Sequence, residues 1–290
     1  MGTAMEVAPG GDDAQKALWN GAGGRGWTAA QDLLDEMYRP FEALLADAVA
    51  TGSSVLDVGC GTGATTVAAA RRAGSAGRCV GVDISEPMVE AARARTERAG
   101  VSASFIHADA ATHTFEPASF DLLVSRFGVM FFDDFPRAFA NLRRAGTDTA
   151  QVRFIVWRSP DENPFMTTAE RAAAPLLPHL APRDPEAPGQ FALARADRVR
   201  RILDESGWTN IDIQPIDVEC VLPETELVRY LTLLGPVGRA LQGADERTRA
   251  QVVETARAAF GPYQRGAEIR FTAACWMVGA HASAGRRPAG

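Results

Sequence analysis

The run VLDVGCGTGA, residues 55–64, decides how this chain is read. Val55 and Leu56 lead into a turn holding Gly59, Gly61 and Gly63, and the helical stretch TTVAAARRAG follows. A second apolar run, CVGVDIS (79–85), then closes on Asp83. This order predicts strand, glycine turn, helix and strand, with a carboxylate at the tip of the second strand. Glycines let the backbone turn sharply and let a ligand approach bare N–H groups at a helix N-terminus. An acidic residue roughly 20 positions downstream is placed to accept hydrogen bonds from a ribose diol.

Two ligands fit that description. Gly59-x-Gly61-x-x-Ala64 satisfies the dinucleotide fingerprint, so NAD has to be considered. Asp57 tips the balance, because a carboxylate two residues before the first glycine repels a pyrophosphate and suits a cation. S-adenosylmethionine carries an ammonium and a sulfonium and no phosphate. VLDVGCGTG resembles the first motif of the class I SAM-dependent methyltransferases, in particular their ubiquinone/menaquinone-methyltransferase-like small-molecule subgroup. The resemblance covers residues 53–157 by motif and the remainder by element order. It implies S-adenosyl-L-methionine as cofactor and S-adenosyl-L-homocysteine as product. The fold it implies is α/β, a Rossmann-like seven-stranded, mostly parallel sheet. The last strand is antiparallel and inserts beside the fifth, and helical cap insertions are added.

Downstream residues extend the pattern. Ser85 is a plausible helix N-cap with Pro87 in the first turn. Ile84 and Met88 border the same strand tip, and the resemblance places Met88 on the adenine face; an ordinary core methionine fits the spacing equally well. A short strand then runs into HADA (107–110), so Asp57, Asp83 and Asp109 end three successive strands at one crevice. In open α/β sheets ligands bind there. The family would use Asp109 for the adenine amine and the Ala110 N–H for the ring nitrogen, with Gly59, Cys60 and Gly61 lining the turn. The fourth strand, from Phe120, ends at Ser125-Arg126, facing the methionine part of the cofactor; Arg126 is a candidate partner of its carboxylate, or a plain surface cation. One departure is Arg144-Ala145-Gly146 where the family often has Pro-Gly-Gly before its fifth strand. It puts that turn in doubt, and not the cofactor site.

The flanks are read as accessories. Residues 1–14 are expected to be a disordered tail and 15–50 a helical arm. Within the arm, WNGAGGRGW (19–27) reads as a glycine-rich loop whose Trp19 and Trp27 either anchor the arm or cover the cofactor as a lid. Residues 28–50 carry an apolar stripe at helical spacing, which Pro40 is expected to kink or divide. The catalytic domain is expected over 51–278, with caps at about 159–195 and 222–264, followed by a tail over 279–290.

Methyl transfer from a sulfonium needs alignment and exclusion of water more than it needs a base. Should a base be used, His179 in the first cap and Tyr263 in the second are the candidates; His107 reads as structural. The expected reaction is O- or C-methylation of a small polyketide- or quinone-like acceptor of secondary metabolism. A SAM-binding protein that does not methylate (a cyclase or regulatory module) stays open, because its cofactor motifs would be the same. An NAD-dependent oxidoreductase would need a Tyr-x-x-x-Lys or equivalent, and none of the three tyrosines has that partner.

Composition narrows the classes further. The 290 residues carry a net charge of −6 and are 46% hydrophobic, enough for a full core. Basic residues lie scattered among acidic ones, so no nucleic-acid stripe is present. No apolar run of membrane-spanning length occurs, and MGTAMEVAPGGDD lacks the pattern of a secretion signal. The four cysteines form no CxxC pair and, with the four histidines, no metal spacing. A cytoplasmic protein without metal, nucleic-acid or membrane partner is expected, with a homodimer left open.

Overall fold

The computed structural model describes residues 11–180, 184 and 187–282, with side chains from Gln15 onward. Three helices lead in: α1 Gly11–Asn20, α2 Ala22–Ala29 and α3 Gln31–Ala46. The open α/β unit follows as β1 Ser54–Val58, α4 Ala64–Ala73, β2 Arg78–Asp83, α5 Glu86–Ala99, β3 Ser104–His107, β4 Phe120–Arg126, α6 Phe135–Ala145 and β5 Gly146–Trp157. The first cap holds α7 Pro164–Ala173. Then come α8 Ala196–Glu205 and β6 Trp208–Pro223. The second cap holds α9 Leu227–Leu233, α10 Gly235–Ala240 and α11 Glu246–Ala259. The strands β7 Gln264–Arg265 and β8 Glu268–Ala282 complete the described chain.

The strand order is β3-β2-β1-β4-β5-β8-β6, with two-residue β7 on the side of β8. From β3 to β5 all neighbours are parallel, and β8 runs antiparallel between β5 and β6. The Rossmann-like sheet with its inserted last strand is therefore present, with β7 as an eighth strand. The order of winding reverses between β1 and β4, which opens a crevice at their carboxyl ends. Local sequence explains the tight centre. Leu56 and Leu123 are fully buried on neighbouring strands, and the buried face of α4 is Ala, Thr and Val, so that it lies close on the sheet. A Cβ at Gly81 would stand 2.7 Å from the Phe105 ring and 2.8 Å from the Cys60 sulfur, so glycine there admits both side chains.

The register of the last strands places the caps. β5 pairs with β8 only over 275–281, whereas β6 and β8 stay paired down to Pro223 and Glu268. Because β8 is antiparallel, its first half overshoots the carboxyl end of β5 as a two-stranded ribbon. The caps fold on that ribbon. Phe165 of α7 stacks on Phe271 at 3.8 Å. Asn163, wholly buried, receives the Ala274 N–H and donates to the carbonyls of Ala274, Ser159 and Arg158. One amide thus fixes the point where the first cap leaves the sheet.

Several expectations need correction. The segment 19–27 is not a loop: it spans the end of α1 and most of α2. Its glycines serve packing, since a Cβ at Gly26 would overlap the Leu233 carbonyl and one at Gly24 would meet the Ser85 hydroxyl at 2.7 Å. Burial against those partners offsets the roughly 1 kcal/mol that each helical glycine costs. Pro40 does not divide α3, because it faces solvent. The carbonyl it leaves without an N–H lies on the wet side, while Met37, Tyr38, Phe41 and Leu45 hold the opposite face in the core. Helix α1 already begins at Gly11, so residues 11–14 are not a disordered tail; residues 1–10 lie outside the described ones. Likewise residues 279–282 belong to β8 rather than to a loose tail.

Candidate functional site

The crevice opens into one cavity of about 910 Å³. Its inner end is built by the tips of β1 and β2, the loop after β3 and the tip of β4. Its outer end is walled by Trp19, Trp27, residues 130–133, residues 187–195 and the start of α10.

The glycine turn has a property that decides which ligands fit. The Gly59 and Cys60 N–H groups both donate to the Val82 carbonyl, at 2.9 and 3.1 Å. Gly63 N–H donates to the Cys60 carbonyl, and Gly61 N–H donates to Asp83 Oδ2 at 2.7 Å. The expectation of bare N–H groups is thereby corrected for these four. They are turned inward, so the turn offers close approach without a phosphate cradle. Close approach also explains the glycines: with φ of +66°, Gly59 lies so near Gly128 that a Cβ would stand 2.6 Å from its Cα.

Asp83 borders the cavity with a carboxylate anchored by Gly61 N–H and Ser85 N–H. Burial pushes its pKa up, and the two N–H groups oppose this. Asp109 also borders the cavity and accepts from Ala111 N–H at 2.8 Å and from the Thr112 hydroxyl at 3.3 Å. Ile84, Met88 and Ala110 line the cavity with the two carboxylates. His107, its ring nitrogen 3.1 Å from the Ile84 carbonyl, holds that tip from behind.

Asp57 does not border the cavity. It is 1% exposed, accepts from the Thr66 hydroxyl through Oδ2, and leaves Oδ1 without a partner. Burial raises its pKa to about 6, with the Asp83 charge adding to the shift. Three carboxylates therefore end the strands as expected, but two face the cavity and the third stands behind the glycine turn. Cys60 and Ser125 are likewise behind the wall. The Ser125 hydroxyl donates to the Val58 carbonyl and accepts from Gly128 and Val129 N–H, tying the tips of β1 and β4 together. Arg126 does line the cavity; its guanidinium lies 5.8 Å from the Tyr38 ring centre, and Nη1 has no hydrogen-bond partner. Burial lowers its pKa, opposed by Glu42, Asp35 and Asp57.

Trp19 and Trp27 line the cavity as edge-on neighbours 6.1 Å apart, and Trp19 also meets Phe131 edge-on at 5.0 Å. The arm is stitched to the β2 tip. Asn20 donates to the Ile84 carbonyl and accepts from Glu86 N–H, while the Ser85 hydroxyl donates to the Trp19 carbonyl. On its other side, Arg229 of α9 donates to the Ala29 carbonyl and pairs with Asp32.

The two candidate bases part company. His179 is at the outer rim, exposed. Tyr263 does not border the cavity; its hydroxyl is 3.4 Å from the Thr168 hydroxyl and its ring packs on Phe260. It lies just before β7, half-buried against the core and away from the cavity.

Sequence reasoning missed Tyr38, Phe127 and Trp157. All three border the cavity, with Phe127 stacked on Trp157 at 4.4 Å and 6°. Phe127 has φ +64°, a conformation bulky residues rarely adopt, held here by its N–H to the Ile155 carbonyl. An aromatic residue directly after a strand tip and directly before Gly128 was the available signal.

A family model of a methyltransferase domain matches residues 55–147, the stretch that builds the inner end of the cavity. Over those residues the chain is similar to the class I SAM-dependent methyltransferases. The nocamycin O-methyltransferase of Saccharothrix syringae is 38% identical over 112 residues, covering 38% of this chain and 40% of that protein. The 2-phytyl-1,4-naphtoquinone methyltransferase of Trichormus variabilis is 31% identical over 118 residues, covering 40% of this chain and 52% of that protein. The chain thus spans about two fifths to one half of these relatives' lengths. Among solved structures, YcgJ of Bacillus subtilis superposes with a TM-score of 0.56 at 18% identity, covering 84% of this chain and 98% of that one. That likeness extends the shared fold well beyond residues 55–147. Among the described residues no helix is long and apolar enough to cross a membrane, and no group of three or more His, Cys, Asp or Glu could hold a metal ion.

Proposed function

We propose that this protein transfers the methyl group of S-adenosylmethionine to an oxygen or carbon atom of a small, ring-bearing acceptor of polyketide- or quinone-like type. One observation carries the reading: two tip carboxylates and an inward-turned glycine turn share a single cavity with an aromatic-walled chamber. A cavity of about 910 Å³ lies in the upper part of the usual range for small-molecule sites, room for a cofactor and a second molecule. Relatives that methylate polyketides and quinones support the acceptor class.

The residues fit that cofactor. Asp83 accepts from the ribose diol, and Asp109 from the adenine amine, with Ala110 N–H facing the ring and Ile84 and Met88 beside it. Asp57 adds a negative field behind the turn for the ammonium. Arg126 supplies a cation for the carboxylate. When bound, the cofactor supplies an electrophilic methyl on a good leaving group. Trp19 and Trp27 cover the cofactor, and the stacked Phe127 and Trp157 hold the acceptor flat; together they keep water out. Such positioning contributes on the order of 7–11 kcal/mol.

The test is calorimetric binding of S-adenosylhomocysteine, with NADH as comparison, followed by incubation with S-adenosylmethionine and hydroxylated naphthoquinones and anthraquinones. Tight binding of the first nucleoside, none of NADH, and a mass gain of one methyl group are expected. NADH binding would return the chain to the dehydrogenases. S-adenosylhomocysteine binding with no methylated product from any acceptor would favour a protein that uses the cofactor without transferring its methyl. Trp19→Ala should weaken S-adenosylhomocysteine about fivefold to tenfold, the worth of one aromatic contact pair; unchanged affinity would make the tryptophan an anchor of the arm and not a lid. His179→Ala should keep turnover within about threefold. A drop of about a hundredfold or more, the size of a general-base contribution, would assign His179 that role.

A further inference from the structure

The loop that carries Asp109 and Ala110 is held from beneath by one side chain the reaction itself does not use. Asn141, on the buried face of α6, is 6% exposed. Its Nδ2 donates to the Ala110 carbonyl at 3.0 Å and to the His113 carbonyl at 2.9 Å. Its Oδ1 accepts from Arg144 Nη2 at 2.8 Å. That third bond fixes which way the amide points: flipped, it would set an oxygen against two carbonyls and an NH₂ against a guanidinium.

These contacts run on toward the cavity. The peptide between Ala110 and Ala111 gives its carbonyl to Asn141 and its N–H to Asp109 Oδ1 at 2.8 Å. Its plane is therefore pinned at both ends. The Asp109 carbonyl accepts from Thr112 and His113 N–H, closing the loop into a single turn. Asn141 thus sets the Ala110 peptide, and the peptide sets the aim of the Asp109 carboxylate. We infer that Asn141 is a positioning residue that gives the site its preference for adenine over other purines. The inference rests on the cofactor reading above, since Asp109 and Ala110 N–H are the groups that meet the base. Adenine offers an amine donor and a bare ring nitrogen. Hypoxanthine offers an oxo group and a protonated ring nitrogen, so a rigid acceptor–donor pair rejects it and a loosened loop does not.

The experiment compares S-adenosylhomocysteine with S-inosylhomocysteine by calorimetry on wild type, Asn141→Leu and Asn141→Ser. Wild type should favour the adenosyl compound by about a hundredfold, the loss expected when buried polar groups meet the wrong partner. Asn141→Leu should weaken the adenosyl compound about tenfold and leave the inosyl compound unchanged, so the ratio drops about tenfold. A purely structural role would weaken both alike and leave the ratio intact, and that result overturns the inference. Should the leucine variant not fold, Asn141→Ser decides by the same ratio. Wild type that binds neither compound removes the cofactor reading, and the inference with it; wild type that binds both equally removes the inference alone.

Discussion

Asp83→Ala lowers the affinity for S-adenosylhomocysteine by about a hundred- to a thousandfold. On the proposed reading this carboxylate accepts from the ribose diol, and hydrogen bonds to a charged acceptor contribute about 1.5–3 kcal/mol each. Two of them give about 3–6 kcal/mol, and repacking of water into the vacated space recovers part. The anchoring geometry strengthens the expectation. Gly61 N–H and Ser85 N–H hold the carboxylate from the protein side, so it needs no reorientation to bind. Asp83→Asn keeps the shape and one acceptor oxygen, and should lie between wild type and Asp83→Ala. Calorimetry on the three proteins, with melting curves to verify folding, makes the comparison. An alanine variant that melts normally and binds within a few fold of wild type would show that the β2 tip does not meet a diol.

Asp57→Asn makes the ligand-free protein more stable at pH 8 and a poorer binder. The sign follows from its raised pKa. A carboxyl at about 6 in the fold and 3.8 unfolded binds its proton more tightly when folded. Its contribution is therefore most favourable below pH 3.8, declines as pH rises through 6, and above that the ionised form is a cost. At about 1.4 kcal/mol per pKa unit, the interval corresponds to about 3 kcal/mol. The amide keeps an acceptor for the Thr66 hydroxyl and carries no charge. It leaves one polar atom in the place of the unpartnered Oδ1, so about 1–2 kcal/mol of the cost is relieved. For a chain of this size the melting temperature should rise by about 2–6 °C at pH 8, and the gain should vanish toward pH 4. The same substitution removes the negative field behind Gly59, and S-adenosylhomocysteine binding should weaken about tenfold. Melting curves between pH 4 and 9 without ligand, paired with titrations at pH 8, measure both. A variant less stable at every pH would mean that the burial of this carboxylate is offset by contacts other than Thr66. A carboxylate that costs stability unless a cation is bound is what a binding site is expected to contain.

Sequence alone determined the stretch from β1 to β5 of this protein. The glycines, the apolar runs and the acidic tips all lie within a few residues of one another. Turn chemistry and strand burial are local, so VLDVGCGTGA and CVGVDIS specify β1, the turn, α4 and β2 directly. The same locality put Asp83, Met88, Asp109 and Ala110 on one crevice. Locality also set the limit. Asp57 has the same spacing whether it faces the ligand or hides behind the turn; only the inward hydrogen bonding of Gly59, Cys60, Gly61 and Gly63 decides that. The arm looked too glycine-rich for helix, because the groups that fill the glycine surfaces, Ser85 and the Leu233 carbonyl, come from distant parts of the chain. Tyr263 and His179 were equal candidates as residues of two caps, and only the packing of Tyr263 on Phe260 and Thr168, away from the cavity that His179 borders, separates them. Asn141 carried no signal at all, since its worth lies in two carbonyls that reach it only when α6 docks beneath the loop after β3. Tertiary structure alone decided those points, because each depends on which backbone groups are already satisfied when distant segments meet.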